Sequence, residues 1–245
     1  MSALFKNIGV VIQARMGSTR LPSKIMLPVS GSPIFQSQID RLNSAGLPLY
    51  IATTIQPADS VVVDFAARNG IPCFSGDERN VLSRYYECAK MHKLDLIVRL
   101  TSDCPLIDPL LIKEGLEQYR AFANPNIFLS NTITRTYPRG FDFEIFSFHL
   151  LEDAFRSAAD DFDKEHVTPY IWKNKSGNVQ IRQVTRKADA SAYRLTLDTQ
   201  EDFQLLNILF EQYSAGSLSG EEIIELRQMH LELTLINRYV EQKKN

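Results

Sequence analysis

The sequence predicts an α/β protein in which a mostly parallel sheet is covered by helices on both faces. Over residues 8–100, short apolar runs that suit buried strands alternate with longer segments whose apolar residues recur at helical spacing. This alternation is typical of parallel sheets, because each crossover to the next strand needs a connecting helix. No linker rich in Pro, Gly or Ser interrupts the chain. We therefore expect a single domain over residues 1–245, with an insertion-like region at about 124–177.

The individual elements follow from apolar spacing and from their start and stop signals. Ser32 and Pro33 suit the N-cap and the first position of a helix that Gly46 ends. Asp198 would make a good N-cap, and it also ends a predicted strand. The predicted strands cover residues 8–12, 49–53, 71–74, 95–100, 127–130, 141–146, 179–184 and 193–197. The predicted helices cover residues 33–45, 57–68, 81–92, 109–122, 148–159, 164–173, 198–210 and 220–242.

Composition excludes several classes of protein. The 245 residues are 44% hydrophobic and 23% charged, which is enough apolar material for a sizeable core. A net charge of −2 argues against a general nucleic-acid binder. No segment has the pattern of a signal peptide or a membrane span, so we expect a soluble cytoplasmic protein with no membrane partner. Cys73, Cys88 and Cys104 form no CxxC pair, which is unlike a disulfide framework or a zinc site.

The loop behind the first predicted strand carries three cations around a small, flexible centre. Arg15, Arg20 and Lys24 surround Gly17 and Ser18. Such a loop can turn several backbone N–H groups toward one anion, and guanidinium groups match phosphate oxygens. The alternative is an ordinary solvated turn. Neither the Walker pattern nor G-x-G-x-x-G is present, so spacing alone leaves the two interpretations open.

Carboxylates follow two of the predicted strands. Asp103 stands where the chain leaves the strand at 95–100, and Asp198 ends the strand at 193–197. In open parallel sheets, ligands bind beyond the carboxyl ends of the strands, where these residues and the basic loop can converge. Mg²⁺ takes one or two protein carboxylates together with phosphate oxygens and waters. A structural role as a turn or helix cap is the alternative for both, and it is the preferred role for Asp108.

The insertion-like region contributes further basic candidates. Arg135 and Arg139 lie on a loop between two predicted strands, and His166 lies in a predicted helix. The arginines could meet an acidic acceptor, or they could belong to a solvated loop. A histidine at such a position is more often structural than a ligand.

Five segments, in order along the chain, resemble a known family. The stretch at 11–24 (VIQARMGSTRLPSK) resembles the signature loop of the spore-coat-polysaccharide-type cytidylyltransferases, which are relatives of the CMP-sugar synthetases. Four shorter segments also match this family, and the resemblance extends over roughly residues 8–210. These segments are 103–108 (DCPLID), 135–140 (RTYPRG), 165–170 (EHVTPY) and 197–202 (LDTQED).

The resemblance implies the nucleotide-diphosphosugar-transferase fold, a three-layer α/β/α sandwich. It also implies CTP, Mg²⁺ and a sugar acid of the nonulosonate or 3-deoxy-octulosonate type, a homodimer, and a role in surface polysaccharide synthesis. By the match, Arg15 and Lys24 are catalytic, Asp103 and Asp198 hold the metal, and Arg135, Arg139 and His166 contact the sugar acid. The implied nucleotide site comprises Ala14, Arg15, Gly17, Ser18, Arg20, Lys24 and Asp103.

Two departures from the family pattern keep other functions open. The family usually has glycine where Ser23 and Ser102 stand, and an inactive nucleotide-binding protein is therefore one alternative. Another alternative is a glycosyltransferase that uses a preformed nucleotide sugar on the same fold. Such enzymes commonly hold metal with an Asp-x-Asp pair, which is absent from the centre of this chain. The main hypothesis remains attack of a sugar hydroxyl on the α-phosphorus of CTP, with release of pyrophosphate.

Overall fold

The computed structural model describes residues 5–242, so residues 1–4 and 243–245 of the predicted domain lie outside the described part. The strands are β1 (Ile8–Gln13), β2 (Pro28–Val29), β3 (Ser32–Pro33), β4 (Leu49–Thr54), β5 (Cys73–Gly76), β6 (Leu96–Thr101), β7 (Ile127–Ser130), β8 (Glu144–Ser147) and β9 (Gln180–Gln183). The α-helices are α1 (Ile34–Asn43), α2 (Ser60–Arg68), α3 (Val81–Met91), α4 (Pro109–Phe122), α5 (Phe148–Ser157), α6 (Asp161–His166), α7 (Pro169–Trp172), α8 (Gln200–Tyr213), α9 (Gly220–Met229) and α10 (Thr234–Asn237). Short 3₁₀ turns occur at Lys24–Met26, Pro57–Asp59, Ala215–Ser217 and Leu231–Leu233.

Seven of the strands within residues 5–242 form one sheet, in the order β5-β4-β1-β6-β8-β7-β9. β1 pairs in parallel with β4 and β6, β4 pairs in parallel with β5, and β7 pairs in parallel with β9. β8 runs antiparallel to both of its neighbours, β6 and β7. The mostly parallel sheet predicted from the sequence is therefore confirmed. The strands β7 and β8, from the insertion-like region, continue this sheet.

Apolar side chains pack on both faces of the sheet. Val10 and Ile12 of β1 lie in a core with buried residues of α1, α2, α4, α8 and α9. Val11, on the opposite face, lies in a second core with residues of α3, α5 and α7. Successive strand residues point to opposite faces, so one strand supplies both cores. This arrangement is the three-layer α/β/α sandwich that the sequence predicts.

Two strands begin two or more residues later than predicted, because nearby groups use their backbone hydrogen bonds. At residue 71, the N–H of Ile71 donates to Ala66 O and closes the end of α2, so β5 begins at Cys73. At residues 141–143, the Asn131 side chain donates to Phe141 O and accepts from Phe143 N. β8 therefore begins only at Glu144.

The predicted strand at 193–197 is wrong. The segment makes only an isolated parallel bridge between Arg194 and Arg139. Its remaining backbone contacts go elsewhere: Leu197 N donates to Asp103 O at 2.8 Å, and the Asn237 side chain donates to Arg194 O at 3.2 Å. The segment is buried like a strand, but it is fixed to loops rather than to a ladder.

Two predicted helices are interrupted. The helix at 164–173 breaks at Val167, where φ is 72° and ψ is −55° and Thr168 N donates to His166 O at 2.9 Å. This is a γ-turn of the rare, strained kind. Burial of Val167 and a hydrogen bond from the Thr168 hydroxyl to Glu144 hold it in place. The helix predicted at 220–242 ends at Met229, because the backbone of His230 leaves the helical region.

Two predicted helix caps are also wrong. Ser32 belongs to the small β2–β3 hairpin, and α1 begins behind Pro33 without a side-chain cap. Helix α8 is capped by Thr199, whose hydroxyl accepts from Asp202 N, so Asp198 is not the cap. Asp108 does cap α4, because its carboxylate accepts from Leu110 N at 2.9 Å.

The two serines that replace family glycines differ in backbone conformation. Ser23 has φ 56° and ψ 21°, in the left-handed region, whereas Ser102 is not among the described residues with positive φ. For a residue with a Cβ, the left-handed conformation costs roughly 1–2 kcal/mol. Glycine avoids this cost, but it loses more conformational entropy on folding, which lowers the stability by about 0.5–1 kcal/mol.

We expect Ser23→Gly to leave the free energy of unfolding unchanged or to raise it by up to about 1 kcal/mol, because relief of backbone strain outweighs the entropy of glycine. Ser102→Gly is the matched control, and it should lower the free energy of unfolding by about 0.5–1 kcal/mol. Urea denaturation of both variants measures the difference. Equal losses in the two variants would contradict the assignment of strain to Ser23.

Candidate active site

A cleft lies beyond the carboxyl ends of β1 and β6, the two central strands. Their last residues, Gln13 and Thr101, are paired in register, so the loops that follow them rise side by side. The cleft has a volume of about 260 Å³. Its walls are formed by Gln13, Ala14, Arg15, Gly17, Ser18, Thr19, Arg20, Lys24, Arg84, Thr101, Ser102, Asp103 and Asp198. All the residues predicted for the nucleotide and metal sites therefore lie around one cavity.

Asp198 reaches this cleft because the preceding segment is fixed to the loop of Asp103. Leu197 N donates to Asp103 O at 2.8 Å, and the Thr196 hydroxyl donates to the same oxygen at 3.0 Å. Thr199 caps α8, so the Asp198 carboxylate remains available to face the cleft. A residue late in the chain is thereby placed beside the middle of the chain.

An ion cluster occupies the floor of the cleft. Lys24 Nζ lies 3.1 Å from Asp103 Oδ2 and 2.8 Å from Asp198 Oδ1. The other oxygen of Asp198 lies 3.1 Å from Arg20 Nη2 in an ion pair and accepts a hydrogen bond from Arg194 at 2.9 Å. The Lys24 and Asp198 side chains are each only 12% exposed. The described cations thus hold both carboxylates in fixed positions.

The charged groups of the cluster stabilise one another's ionised forms. Burial alone would lower the pKa of Lys24, but the Asp103 and Asp198 carboxylates outweigh it and raise that pKa. Burial alone would raise the pKa of Asp103, but the Lys24 ammonium and the Thr101 hydroxyl outweigh it and lower that pKa. The Thr101 hydroxyl donates to Asp103 Oδ1 at 2.5 Å. Both groups are therefore ionised at neutral pH.

The upper part of the cleft has donors that are not committed to internal partners. Arg15 is 44% exposed, and its nearest carboxylate, Glu78, is 3.8 Å away. The backbone N–H groups of Gly17 and Thr19 donate no hydrogen bond within the described residues. Together these groups provide a cationic, donor-rich wall that suits phosphate oxygens.

Arg84 of α3 is a cleft residue that the sequence interpretation missed. It is 1% exposed, and its Nε and Nη1 have no hydrogen-bond partner within the described residues. Burial lowers the pKa of Arg84. A signal was present in the sequence, because Arg84 falls within the apolar helical stripe of Val81, Tyr85 and Cys88. An arginine on a buried helix face needs a special reason to be there.

The three predicted sugar-acid contacts are not part of the cleft walls. Arg135 is paired with Asp142 through two bonds, of 2.5 and 3.0 Å. Arg139 faces a separate cavity near the C-terminal residues. The His166 ring packs against Phe162 at the end of α6, with ring centroids 4.5 Å apart. Their contact with substrate stays a prediction.

A buried ionic network lies beneath the cleft and explains why the segment at 165–170 matters. Glu144 of β8 forms an ion pair with Arg99 at 2.8 Å, and Arg99 Nη2 donates a hydrogen bond to Gln13 Oε1 at 3.4 Å. The Thr168 hydroxyl donates to both oxygens of Glu144, at 3.0 and 3.1 Å. Thr168, in this segment, is linked through Glu144 to Arg99 of the central strand β6. The sequence interpretation assigned no role to Glu144 in this network.

Two features are absent from the described residues. Within residues 5–242, no cluster of three or more His, Cys, Asp or Glu side chains is arranged to hold a metal ion. None of the described helices has the length and apolar character needed to cross a membrane.

Comparison with known proteins identifies the family. The cytidylyltransferase family model matches residues 9–243. The spore coat polysaccharide biosynthesis protein SpsF of Bacillus subtilis is 30% identical over 236 residues, which cover 93% of both chains. An 8-amino-3,8-dideoxy-manno-octulosonate cytidylyltransferase of Shewanella amazonensis is 32% identical over 119 residues, or 46% of this chain and 48% of that protein.

A solved structure agrees with this assignment. A cytidylyltransferase from Leptospira borgpetersenii serovar Hardjo-bovis superposes with a TM-score of 0.90 at 32% identity, covering 96% of this chain and 99% of that chain. The family and the fold expected from the sequence are both confirmed. The chain therefore belongs to the cytidylyltransferase family and is a nucleotidyltransferase.

Proposed function

We propose that this enzyme transfers the cytidylyl group of CTP to a hydroxyl of a sugar acid, of the nonulosonate or 3-deoxy-octulosonate type, and releases pyrophosphate. One observation carries the proposal: Lys24 joins Asp103 and Asp198 at the floor of a cleft with a cationic wall. The names of two relatives support the substrate class, since one acts on an octulosonate and the other belongs to spore coat polysaccharide biosynthesis. The product would serve surface polysaccharide synthesis.

The phosphates of CTP would lie against the loop behind β1. Arg15, Gly17 and Thr19 line this space, the N–H groups of Gly17 and Thr19 have no partner within the described residues, and Ala14, Ser18 and Arg20 complete the wall. Charge-assisted hydrogen bonds of this kind are the strongest contacts available to phosphate oxygens. Arg15 and Lys24 are the groups that would stabilise the negative charge that builds on the departing pyrophosphate.

Mg²⁺ fits the carboxylates of this site. Asp103 and Asp198 both lie within 3.1 Å of one cationic nitrogen, so they already converge on a position that suits a positive charge. Two carboxylates without a third acidic ligand match the preference of Mg²⁺ for phosphate oxygens and water in its remaining positions. When bound, the ion would neutralise phosphate charge and orient the α-phosphate. Lys24 would then exchange part of its contact with the aspartates for contact with the phosphates.

The chemical step needs positioning more than it needs an acid or a base. The sugar hydroxyl oxygen forms a bond to the α-phosphorus, the bond from that phosphorus to the bridging oxygen breaks, and the hydroxyl proton passes to solvent. Fixed cations are effective here because they need no rearrangement as charge moves onto pyrophosphate. In the ligand-free protein, the contacts of Lys24 with two carboxylates already hold its ammonium at the floor of the cleft.

The sugar acid would be recognised by groups next to the cleft. Of the two arginines in the segment at 135–140, Arg135 is committed to Asp142, whereas Arg139 has no carboxylate partner among the described residues. Arg139 is therefore the better candidate for the sugar carboxylate, with His166 and Arg135 as further contacts. On the family resemblance alone, we also propose that the enzyme is cytoplasmic and acts as a homodimer.

The central test is release of pyrophosphate. With CTP, Mg²⁺ and 3-deoxy-octulosonate or a nonulosonate, the protein should release pyrophosphate, measured as phosphate after added pyrophosphatase. Asp103→Asn and Lys24→Gln should each lower kcat by about a hundredfold or more, the usual loss when a fixed electrostatic group is removed.

The controls for this test are Asp64→Asn on α2 and Lys113→Gln on α4. Both residues are exposed and lie outside the cleft, and both variants should retain full activity. Release of a nucleoside diphosphate from a supplied nucleotide sugar, without release of pyrophosphate from CTP, would identify a glycosyltransferase instead. Binding of CTP without turnover across a panel of sugar acids would indicate an inactive relative.

Substitution of Arg84 should change the affinity for CTP more than the free energy of unfolding. Arg84→Met should weaken CTP binding by about tenfold, because one charge-assisted donor is lost from the cleft. The free energy of unfolding of the ligand-free protein should fall by less than about 1 kcal/mol, since a buried cation with unpartnered nitrogens contributes little to folding. Calorimetric titration with CTP and urea denaturation measure the two effects. Arg120→Met, at an exposed position of α4, is the control. Unchanged CTP affinity would show that Arg84 is only part of the wall.

The ion cluster leads to a prediction for the pKa of Asp103. The pKa of Asp103 is below its ordinary value in the folded protein. Its ionisation therefore stabilises the fold above the unfolded-state pKa, and this contribution is lost as the pH falls through the folded-state pKa. In Lys24→Met, we expect the pKa of Asp103 to rise above the ordinary value, because burial is no longer offset.

Carboxyl-detected NMR titration of the ligand-free protein measures this shift. Lys113→Met is the matched control and should leave the pKa of Asp103 as it is in the unmodified protein. An Asp103 pKa that stays low in Lys24→Met would show that Lys24 does not set the charge of the site.

A further inference from the structure

A second cavity, of about 230 Å³, lies near the C-terminal end of the described residues. It is bounded by Arg139, by the segment at 191–194, by residues of α9 and α10, and by Arg238, Val240 and Gln242. Four of its wall residues are arginines, and none of the described residues that line it is acidic. The cavity is larger than a water molecule needs. We call it the arginine cavity.

Most of the positive charge in the arginine cavity is not balanced by nearby carboxylates. Arg194 is balanced, because it bonds to Asp198 at 2.9 Å and to Asp202 at 2.8 Å. Arg139, Arg227 and Arg238 make no ion pair with any carboxylate within residues 5–242. Of these three, Arg227 is fully buried, and a buried guanidinium without an acidic partner is costly to the folded protein unless an anion joins it.

Among these residues, Arg227 gives the strongest evidence for an anion site. Arg227 is 0% exposed, and its Nε and Nη1 have no hydrogen-bond partner among residues 5–242. Its Nη2 donates to Thr234 at 3.2 Å, and its guanidinium lies 5.6 Å from the centre of the Tyr193 ring. Burial lowers the pKa of Arg227 to about 10. The fold thus keeps a charged fork at the cavity with two of its nitrogens unused.

We propose that the arginine cavity is a binding site for a small oxyanion, either a phosphate or a carboxylate. Guanidinium groups present paired N–H donors that match the oxygens of both kinds of group. Arg227 would supply the buried contact, with Arg139 and Arg238 closing around the anion from the rim.

The arginine cavity is connected to the active-site cleft through Arg194. The same guanidinium donates to Asp198 from Nη2 and to Gln242 from Nη1, at 2.9 and 2.8 Å. An anion in the cavity would therefore compete with Asp198 for Arg194 and alter the carboxylate that also contacts Lys24. The anion could be inorganic phosphate or the carboxylate of the sugar acid. The site itself does not depend on the proposed reaction.

Calorimetric titration with inorganic phosphate at constant ionic strength tests the site. The unmodified protein and Lys24→Gln, which lacks a central cation of the cleft, should both bind phosphate. Arg227→Gln should bind it about tenfold more weakly or not at all, because a buried charge-assisted donor is lost. Arg182→Gln, at an exposed arginine of β9 outside the cavity, should bind normally. Binding that is lost in Lys24→Gln but kept in Arg227→Gln would overturn the proposal, as would the absence of any binding.

Two further measurements keep the test decisive if Arg227→Gln folds poorly. Arg238→Gln changes an exposed residue and should also weaken phosphate binding. Crystals of the unmodified protein soaked in selenate should show an anomalous peak within hydrogen-bond distance of Arg227, and an empty cavity would overturn the proposal. Titration with 3-deoxy-octulosonate identifies the source: heat that is lost in Arg227→Gln marks a sugar-acid carboxylate, and phosphate binding alone marks free phosphate. Lack of turnover with every sugar acid would leave the phosphate result intact.

Discussion

The structure depends on one cation held between two carboxylates from distant parts of the chain. Lys24 follows β1, Asp103 follows β6 and Asp198 precedes α8, yet the ammonium contacts both carboxylates at 3.1 Å or less. None of these groups could be buried alone without a large penalty. The site is therefore complete only when the basic loop, the DCPLID turn and the late buried segment are all in place.

The sheet makes this convergence possible. β1 and β6 are parallel neighbours at the centre, so their following loops emerge on the same edge. The antiparallel strand β8 begins at that edge, which places Glu144 below the cleft and next to Arg99. Thr168, behind the strained turn at Val167, then contacts Glu144. A polar network beneath the cleft thereby ties the insertion-like region to the loops above it.

The sequence was informative where local patterning and tertiary structure agree. Apolar spacing predicted the central strands and most helices, and the ends of those strands predicted that Lys24 and Asp103 would meet. Asp198 was assigned to the same site from a predicted strand that does not form. The sequence pattern failed where long-range contacts decide: the segment at 193–197 has strand-like apolarity, but its backbone bonds to Asp103. The break at Val167 could not be predicted either, since a valine at positive φ is disfavoured and only tertiary contacts stabilise it.

The buried arginines give the last step of the argument. Arg84 and Arg227 each have two buried nitrogens without partners in the described part of the chain, and each lines a cavity. A helix pattern read from sequence treats such residues as interruptions of an apolar face. In the folded chain these cations are already desolvated before any anion binds, so they lose little further hydration when an anion arrives. The same physical cost that makes them poor contributors to folding makes them well prepared for phosphate or carboxylate ligands.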